Sequence, residues 1–182
     1  MNGSTKYATF DDGFRKDFER LLRWRRDVRR FRRDPVDPDL LQRLLGLANL
    51  APSVGLSQPW RFVNVQSQKN RAAIVASFET CNAAALAEYD NQDAITYARL
   101  KLEGLREAPI HLAVFSDPDT GKGKKLGRMT MPETMEYSTV TAIHTLWLAA
   151  RAEGLGLGWV SILEPADVYN ILDVPEGWRS IA

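Results

Sequence analysis

Two predicted helices constrain the fold of this chain most. Residues 134–153 read as one long helix that Gly154 ends, and a shorter one starts at Asp37-Pro38-Asp39. In the shorter helix Asp37 caps, Pro38 takes the first position, and Leu40, Leu41, Leu44, Leu45 and Ala48 fall on one face before Pro52 stops it. The strands available to cover these helices are few and short: residues 60–65, 110–115, 157–163 and a last one opening at Trp178. So little sheet cannot bury so much apolar helix. The pattern is therefore a single mixed α+β domain in which helices outnumber strands, with apolar helix surface left for a second copy of the chain.

The remaining segments fit that frame. Phe14, Phe18, Leu21 and Leu22 give residues 13–24 the spacing of an amphipathic helix. Residues 69–89 and 92–107 read as two more helices, the second carrying Tyr97, Leu100 and Leu105. Residues 117–128 form a turn-rich loop bearing lysines, and Pro165 opens a short helix through Leu172. Residues 1–12 are expected to be a flexible terminus and 13–182 one domain, with the strand that opens at Trp178 cut short at Ala182.

Composition excludes several classes. The 182 residues carry a net charge of +1, which gives no general affinity for nucleic acid or membrane. One cysteine, Cys81, excludes an internal disulfide and a cysteine metal site, and two histidines, His111 and His144, speak against a histidine-rich one. No metal is expected. No apolar run approaches the roughly 18 residues of a membrane span, and residues 1–9 lack the apolar core of a signal peptide. A cytoplasmic location follows as the expectation.

The basic charge is local. Arg23, Arg25, Arg26, Arg29, Arg30, Arg32 and Arg33 crowd the end of the first helix. Guanidinium groups fork onto phosphate oxygens, so a phosphate ester explains their number; a solvated helix end or a nucleic-acid patch explains it otherwise. Asp27 sits inside the cluster, where its carboxylate repels the same ligand. Either it pairs with Arg23 or Arg30 at helical spacing, or it touches another part of the ligand and does chemistry there.

Two further segments invite a ligand. Residues 51–62, Ala-Pro-Ser-Val-Gly-Leu-Ser-Gln-Pro-Trp-Arg-Phe, run from a helix end through a Gly-bearing loop into a strand. Ser53 and the loop backbone can hydrogen-bond a heteroaromatic ring, or the loop is a plain connection. Residues 154–161, Gly-Leu-Gly-Leu-Gly-Trp-Val-Ser, follow a helix and precede a strand, the reverse of a dinucleotide fingerprint. Close backbone packing explains the glycines better, and Ser161 can still face a flat ligand. Residues 121–125, Gly-Lys-Gly-Lys-Lys, lack the spacing of a phosphate loop and read as solvated. Cys81 reads as a core or boundary residue and His144 as a satisfied structural histidine.

In this order, the three segments resemble the FMN-dependent nitroreductase superfamily, from about residue 14 to the end. The strings Arg25-Arg26-Asp27-Val28-Arg29, Ala51-Pro52-Ser53-Val54-Gly55, Met131-Pro132-Glu133-Thr134, Tyr137-Ser138-Thr139-Val140 and Gly158-Trp159-Val160-Ser161-Ile162-Leu163 are similar to its flavin-fragmenting branch, the 5,6-dimethylbenzimidazole synthases. The resemblance implies a nitroreductase-like α+β fold, with a central mixed, mostly antiparallel sheet flanked by helices in a domain-swapped homodimer. It implies that reduced FMN is consumed with O2 to give 5,6-dimethylbenzimidazole, the lower ligand of vitamin B12, and erythrose 4-phosphate. NAD(P)H acts indirectly, through a separate flavin reductase.

By position, the resemblance assigns Arg25, Arg26 and Arg29 to the FMN phosphate. Pro52, Ser53, Gly55 and Leu56 fall to the ring, from the partner subunit, and Gly158, Trp159, Val160 and Ser161 to the flavin's edge. Asp27 and Ser161 become the catalytic pair near the ribityl carbon, Asp27 as a base or as an orienting group. Leu56 departs from the Asn that many relatives place there and implies a less polar ring pocket. Basic residues that many relatives carry on a last strand would lie beyond Ala182. Two other readings stay open: an NAD(P)H-dependent nitroreductase that shuttles electrons through FMN, and a flavin-binding protein without turnover.

Overall fold

The computed structural model describes residues 9–87, 96 and 104–182. Three strands form the sheet: β1 (Trp60–Asn64), β2 (Leu112–Ser116) and β3 (Arg179–Ser180). They lie in the order β1-β2-β3, and both pairs are antiparallel. Trp60 faces Ser116 across the first pair, and Phe115 faces Ser180 across the second. Pairing runs on past β3, where Ile181 N donates to Val114 O and Val114 N to Ala182 O, both at 2.8 Å.

Strand alternation then divides the core. Ala113 and Phe115 point to one side, packing with Val65 just past β1, Ile74 of α3 (Gln68–Ala87) and Val168 of α6 (Pro165–Leu172). Val114 points to the other, against Ile143 and Trp147 of α5 (Thr134–Ala152). Below that, Leu146 and Ala150 of α5 meet Leu44 and Ala48 of α2 (Pro38–Ala48). The buried residues of α5 include Met135, Thr139, Ala142, Ile143, Leu146 and Ala150, a stripe at helical spacing. Gly154, at φ 79°, supplies the left-handed turn that ends the helix.

Helix α1 (Asp12–Trp24) is capped by Asp11, whose carboxylate accepts from Phe14 N at 2.8 Å. None of its residues is buried. Phe10, Phe14 and Phe18 stack along it, with centroids 4.4 and 6.2 Å apart, and stand exposed with Leu22 and Trp24.

Three expectations need correction or limits. Residues 157–163 do not form a strand: one isolated parallel bridge, Asp27 to Leu157, stands where a ladder was expected. The reason is a side chain, since the Asp27 carboxylate takes the Trp159 N–H that a neighbouring strand would otherwise engage. Among the described residues the sheet is thus antiparallel, and the parallel bridge lies outside it. The expected loop 117–128 ends early, in a short helix α4 (Leu126–Thr130). Gly127 makes room for it, because a Cβ there would stand 2.6 Å from Val54 Cγ2. Of the helix expected over 92–107, residues 96 and 104–107 are helical; Tyr97 and Leu100 lie outside the described residues, as do residues 1–8.

Candidate active site

The arginine cluster divides once the chain is folded. Arg23 pairs with Glu19 at 2.6 Å, Arg32 with Asp34 at 2.8 Å and Arg33 with Glu107 at 3.3 Å, all on the surface. Arg25, Arg26 and Arg29 belong instead to an extended stretch beyond the helix. Arg25 N still donates to Leu21 O at 3.0 Å, but its ψ of 130° turns the chain out of the helix. The helix ends at Trp24, so the helical spacing that would join Asp27 to Arg23 or Arg30 does not exist. That expected ion pair is not formed.

Asp27 is instead built into a junction between two loops. Its Oδ1 accepts from Trp159 N at 2.9 Å, and its Oδ2 lies 3.8 Å from Arg29 Nε. Beside it, Val28 N donates to Leu157 O at 2.8 Å. The glycines of 154–158 permit this approach. A Cβ on Gly158 would stand 2.3 Å from Val28 O, and one on Gly156 would stand 2.6 Å from Val28 Cγ2. Close backbone packing, one of the two readings of those glycines, is what they do. Trp159 and Val160 are half-buried, while Gly158 and Ser161 are exposed. Residues 158–161 lie outside the sheet, so a ladder does not consume their backbone polar groups.

The second loop is shaped locally. Ser53 Oγ accepts from Gln58 N at 3.1 Å, closing the turn around a short 3-10 stretch, Val54–Leu56. Gly55, at φ 55°, carries a carbonyl that accepts from Lys124 N at 2.8 Å, and a Cβ there would stand 2.2 Å from Lys124 O. Helix α5 holds the other side: Ser138 Oγ accepts from Val54 N at 3.0 Å, and Thr141 donates to Pro52 O at 2.8 Å. Leu56 projects from the loop tip, 79% exposed. The 121–125 segment, read as free and solvated, is therefore partly a strut for this loop.

The two loops are anchored at different points along α5. The 52–58 loop is pinned at Ser138 and Thr141, whereas the arginine stretch is pinned at Trp147, whose Nε1–H donates to Arg26 O at 3.2 Å. Thr141 and Trp147 are separated by roughly 9 Å of helix rise. Trp147, Ser138 and Thr141 are the residues that sequence reading missed as anchors. Ser138, Thr141 and Thr145 recur at three- and four-residue spacing along the helix, a readable signal of a polar seam.

A cavity of about 710 Å³ opens behind the junction, lined by Arg29, Phe31, Leu44, Trp147, Gly158, Trp159 and other, mostly apolar groups. It takes in Arg29, Gly158, Trp159 and Val160 but leaves out Arg25, Arg26, Asp27, Ser161 and the whole 52–58 loop, so it overlaps only part of the candidate site. His111 reaches it, and burial, seconded by the Arg71 charge, pushes that imidazole below its ordinary 6.5. His144, expected as a satisfied interior histidine, is exposed on α5, and Cys81 is half-buried. Among the described residues no cluster of His, Cys, Asp or Glu is able to hold a metal ion, and no helix is long and apolar enough to cross a membrane.

A phosphorylated flavin fits the exposed junction. Three arginines stand at a helix end beside residues 158–161, which lie outside the sheet, and Gly158 lets that strip approach the Val28 backbone closely. Residues 22–182 match the nitroreductase family. The chain is 58% identical over 173 residues to a 5,6-dimethylbenzimidazole synthase of Rhodospirillum rubrum, covering 95% of this chain and 82% of that protein. It is 48% identical to one from Rhodobacter capsulatus, covering 95% and 84%. Among solved structures, an oxidized iodotyrosine deiodinase bound to FMN and 3-iodo-L-tyrosine superposes with a TM-score of 0.72 at 25% identity, covering 89% of this chain and 84% of that one.

Proposed function

The chain belongs to the nitroreductase family, and on that footing we propose that it is a 5,6-dimethylbenzimidazole synthase, an enzyme that fragments reduced FMN with O2 to 5,6-dimethylbenzimidazole and erythrose 4-phosphate. The two relatives named 5,6-dimethylbenzimidazole synthase support the product. The observation in the structure that favours it over simple electron shuttling is Asp27, a carboxylate set among phosphate-binding arginines and tied to the 158–161 strip. A clamp alone has no use for a negative charge at that point.

Reduced flavin, when bound, supplies the electrons that reach O2 and the ring and ribityl carbons that become product. The chain's own groups do the rest. Arg25, Arg26 and Arg29 take the phosphate, and the charge-assisted bonds of a guanidinium fork fix its position. Gly158 to Ser161 would hold the ring edge, the exposed Ser161 offering its hydroxyl there. The bond from Trp159 N to Oδ1 fixes the direction of the Asp27 carboxylate, so that a ribityl chain held beside it would meet an oriented acceptor for a proton.

Pro52, Ser53, Gly55 and Leu56 cover the ring from a second copy of the chain. Support comes from the separation of the two loops along α5 and from the apolar surface left open on α1, on Leu56, and on Tyr137 and Val140 of α5. NAD(P)H enters only through a separate flavin reductase.

The test is product analysis. Protein, FMN, an unrelated flavin reductase, NADH and air should yield 5,6-dimethylbenzimidazole by mass spectrometry. Nitroarene reduction without that reductase and without loss of flavin would establish the electron-shuttling reading in its place.

A further inference from the structure

Trp147 belongs to none of the motifs that suggested the site, yet three contacts converge on its indole. Its Nε1–H donates to Arg26 O at 3.2 Å. The Arg25 guanidinium carbon lies over its ring, 5.0 Å from the centroid. The Trp159 ring stacks against it, with centroids 6.5 Å apart. The side chain is 9% exposed and packs with Ile143 and Val114 in the core. One rigid residue on a long helix thus touches both halves of the junction, the arginine stretch and the glycine strip.

We propose that Trp147 is a positioning residue that sets the preference of the flavin site for a phosphorylated ligand, holding Arg25 in place before the phosphate arrives. The proposal rests on the flavin reading above. An arginine on an extended loop has many rotamers, and binding a phosphate costs the freedom it gives up. A guanidinium already resting on an aromatic face has given up much of that freedom, while its N–H edge still offers forked donors. Tryptophan suits this task doubly: it is the aromatic that attracts cations most, and its N–H only donates, matching the Arg26 carbonyl. Phenylalanine would keep the face and lose the donor; leucine would lose both.

The experiment compares FMN with riboflavin, which lacks the phosphate, by flavin fluorescence titration of the full chain. The native protein should prefer FMN. Trp147→Leu should lower that preference about tenfold, and Trp147→Phe about threefold, with riboflavin affinity little changed in both. In the Arg25→Ala background, Trp147→Leu should take nothing further from the preference, because the two residues act as a unit. Equal losses for FMN and riboflavin in Trp147→Phe, or losses from Trp147→Leu and Arg25→Ala that simply add, would overturn the proposal and leave Trp147 a core residue. Absence of any FMN preference in the native protein would overturn the flavin reading itself, and the proposal with it. Should Trp147→Leu fail to fold, the Trp147→Phe comparison alone decides between the outcomes.

Discussion

The arginine–glycine junction and the 52–58 loop make an instructive pair. Both are irregular, both contain indispensable glycines, and both are bolted to α5. Their construction differs. The 52–58 loop is closed by its own residues, Ser53 to Gln58, and by the turn that Gly55 permits. The junction is closed across the chain, by a carboxylate at residue 27 reaching a backbone N–H at residue 159. A loop of the first kind keeps its shape by itself. The second is held by bonds between distant residues, the Val28 N–H to Leu157 O and the Trp159 N–H to the Asp27 carboxylate. The difference shows how a carboxylate is kept among arginines: Asp27 is retained by a bond to the Trp159 N–H of the neighbouring loop.

Substituting Asp27 is the largest expected perturbation of that contrast. Asp27→Ser should fold, bind FMN about as well as the native protein, and make at least about a hundredfold less 5,6-dimethylbenzimidazole, since positioned proton transfer contributes on that order. Oxidation of reduced FMN by O2 should continue. Near-native product formation in mass-spectrometric assays would reduce Asp27 to a loop tie. Next in size are the arginines. Arg25→Ala and Arg29→Ala should each weaken FMN binding by about 1.5–3 kcal/mol and leave riboflavin binding nearly untouched, measured by titration. Arg23→Ala and Arg33→Ala, which lose surface pairs, should cost about 0–1 kcal/mol of stability and no affinity.

The glycines sharpen the comparison at the level of packing. Gly158→Ala drives a Cβ toward Val28 O and should cost about 1–3 kcal/mol in thermal or urea unfolding, together with FMN affinity, because it opens the junction. Gly55→Ala meets Lys124 O and a positive φ, so its cost of similar size should fall on product formation through the ring contact.

The smallest effect is a pH dependence remote from both loops. His111 is held below its ordinary 6.5, chiefly by burial and then by Arg71. Its folded form therefore binds protons less readily than its unfolded form. Its contribution to stability is full above about 6.5 and declines as pH falls through that value toward the depressed one. Melting curves between about pH 5.5 and 7.5 should show this slope, and His111→Gln should flatten it.

Much of this was legible in the sequence. The caps at Asp37 and Gly154, the apolar faces of α2 and α5, and two of the strands follow from local rules that tertiary contacts do not override. The family strings point to the same fold, and the residues assigned to the flavin's edge and phosphate lie on one junction. What sequence could not give was the junction's wiring. Residues 157–163 have the composition of a strand, and only the folded chain reveals that a side chain from residue 27 takes the place of a neighbouring backbone. Helical spacing likewise offered Arg23 as the partner of Asp27, because the exit of the chain from its helix at Trp24 is a matter of backbone angles at Arg25. Trp147 carried no polar signal; its indole matters through groups more than a hundred positions away in sequence.

The central claim is that a complete site takes its junction from one copy and its 52–58 loop from another. Co-expression of two differently tagged, inactive variants tests it most directly. Asp27→Asn damages the junction. Leu56→Asp puts a charge at the loop tip, at a positive φ that Asp tolerates. Purified dimers carrying both tags should regain 5,6-dimethylbenzimidazole synthesis at about half the native rate, because one of the two sites in each mixed dimer is then intact. Mixed dimers as inactive as their parents, or a fully FMN-competent protein that light scattering sizes at 20.5 kDa, would contradict the account.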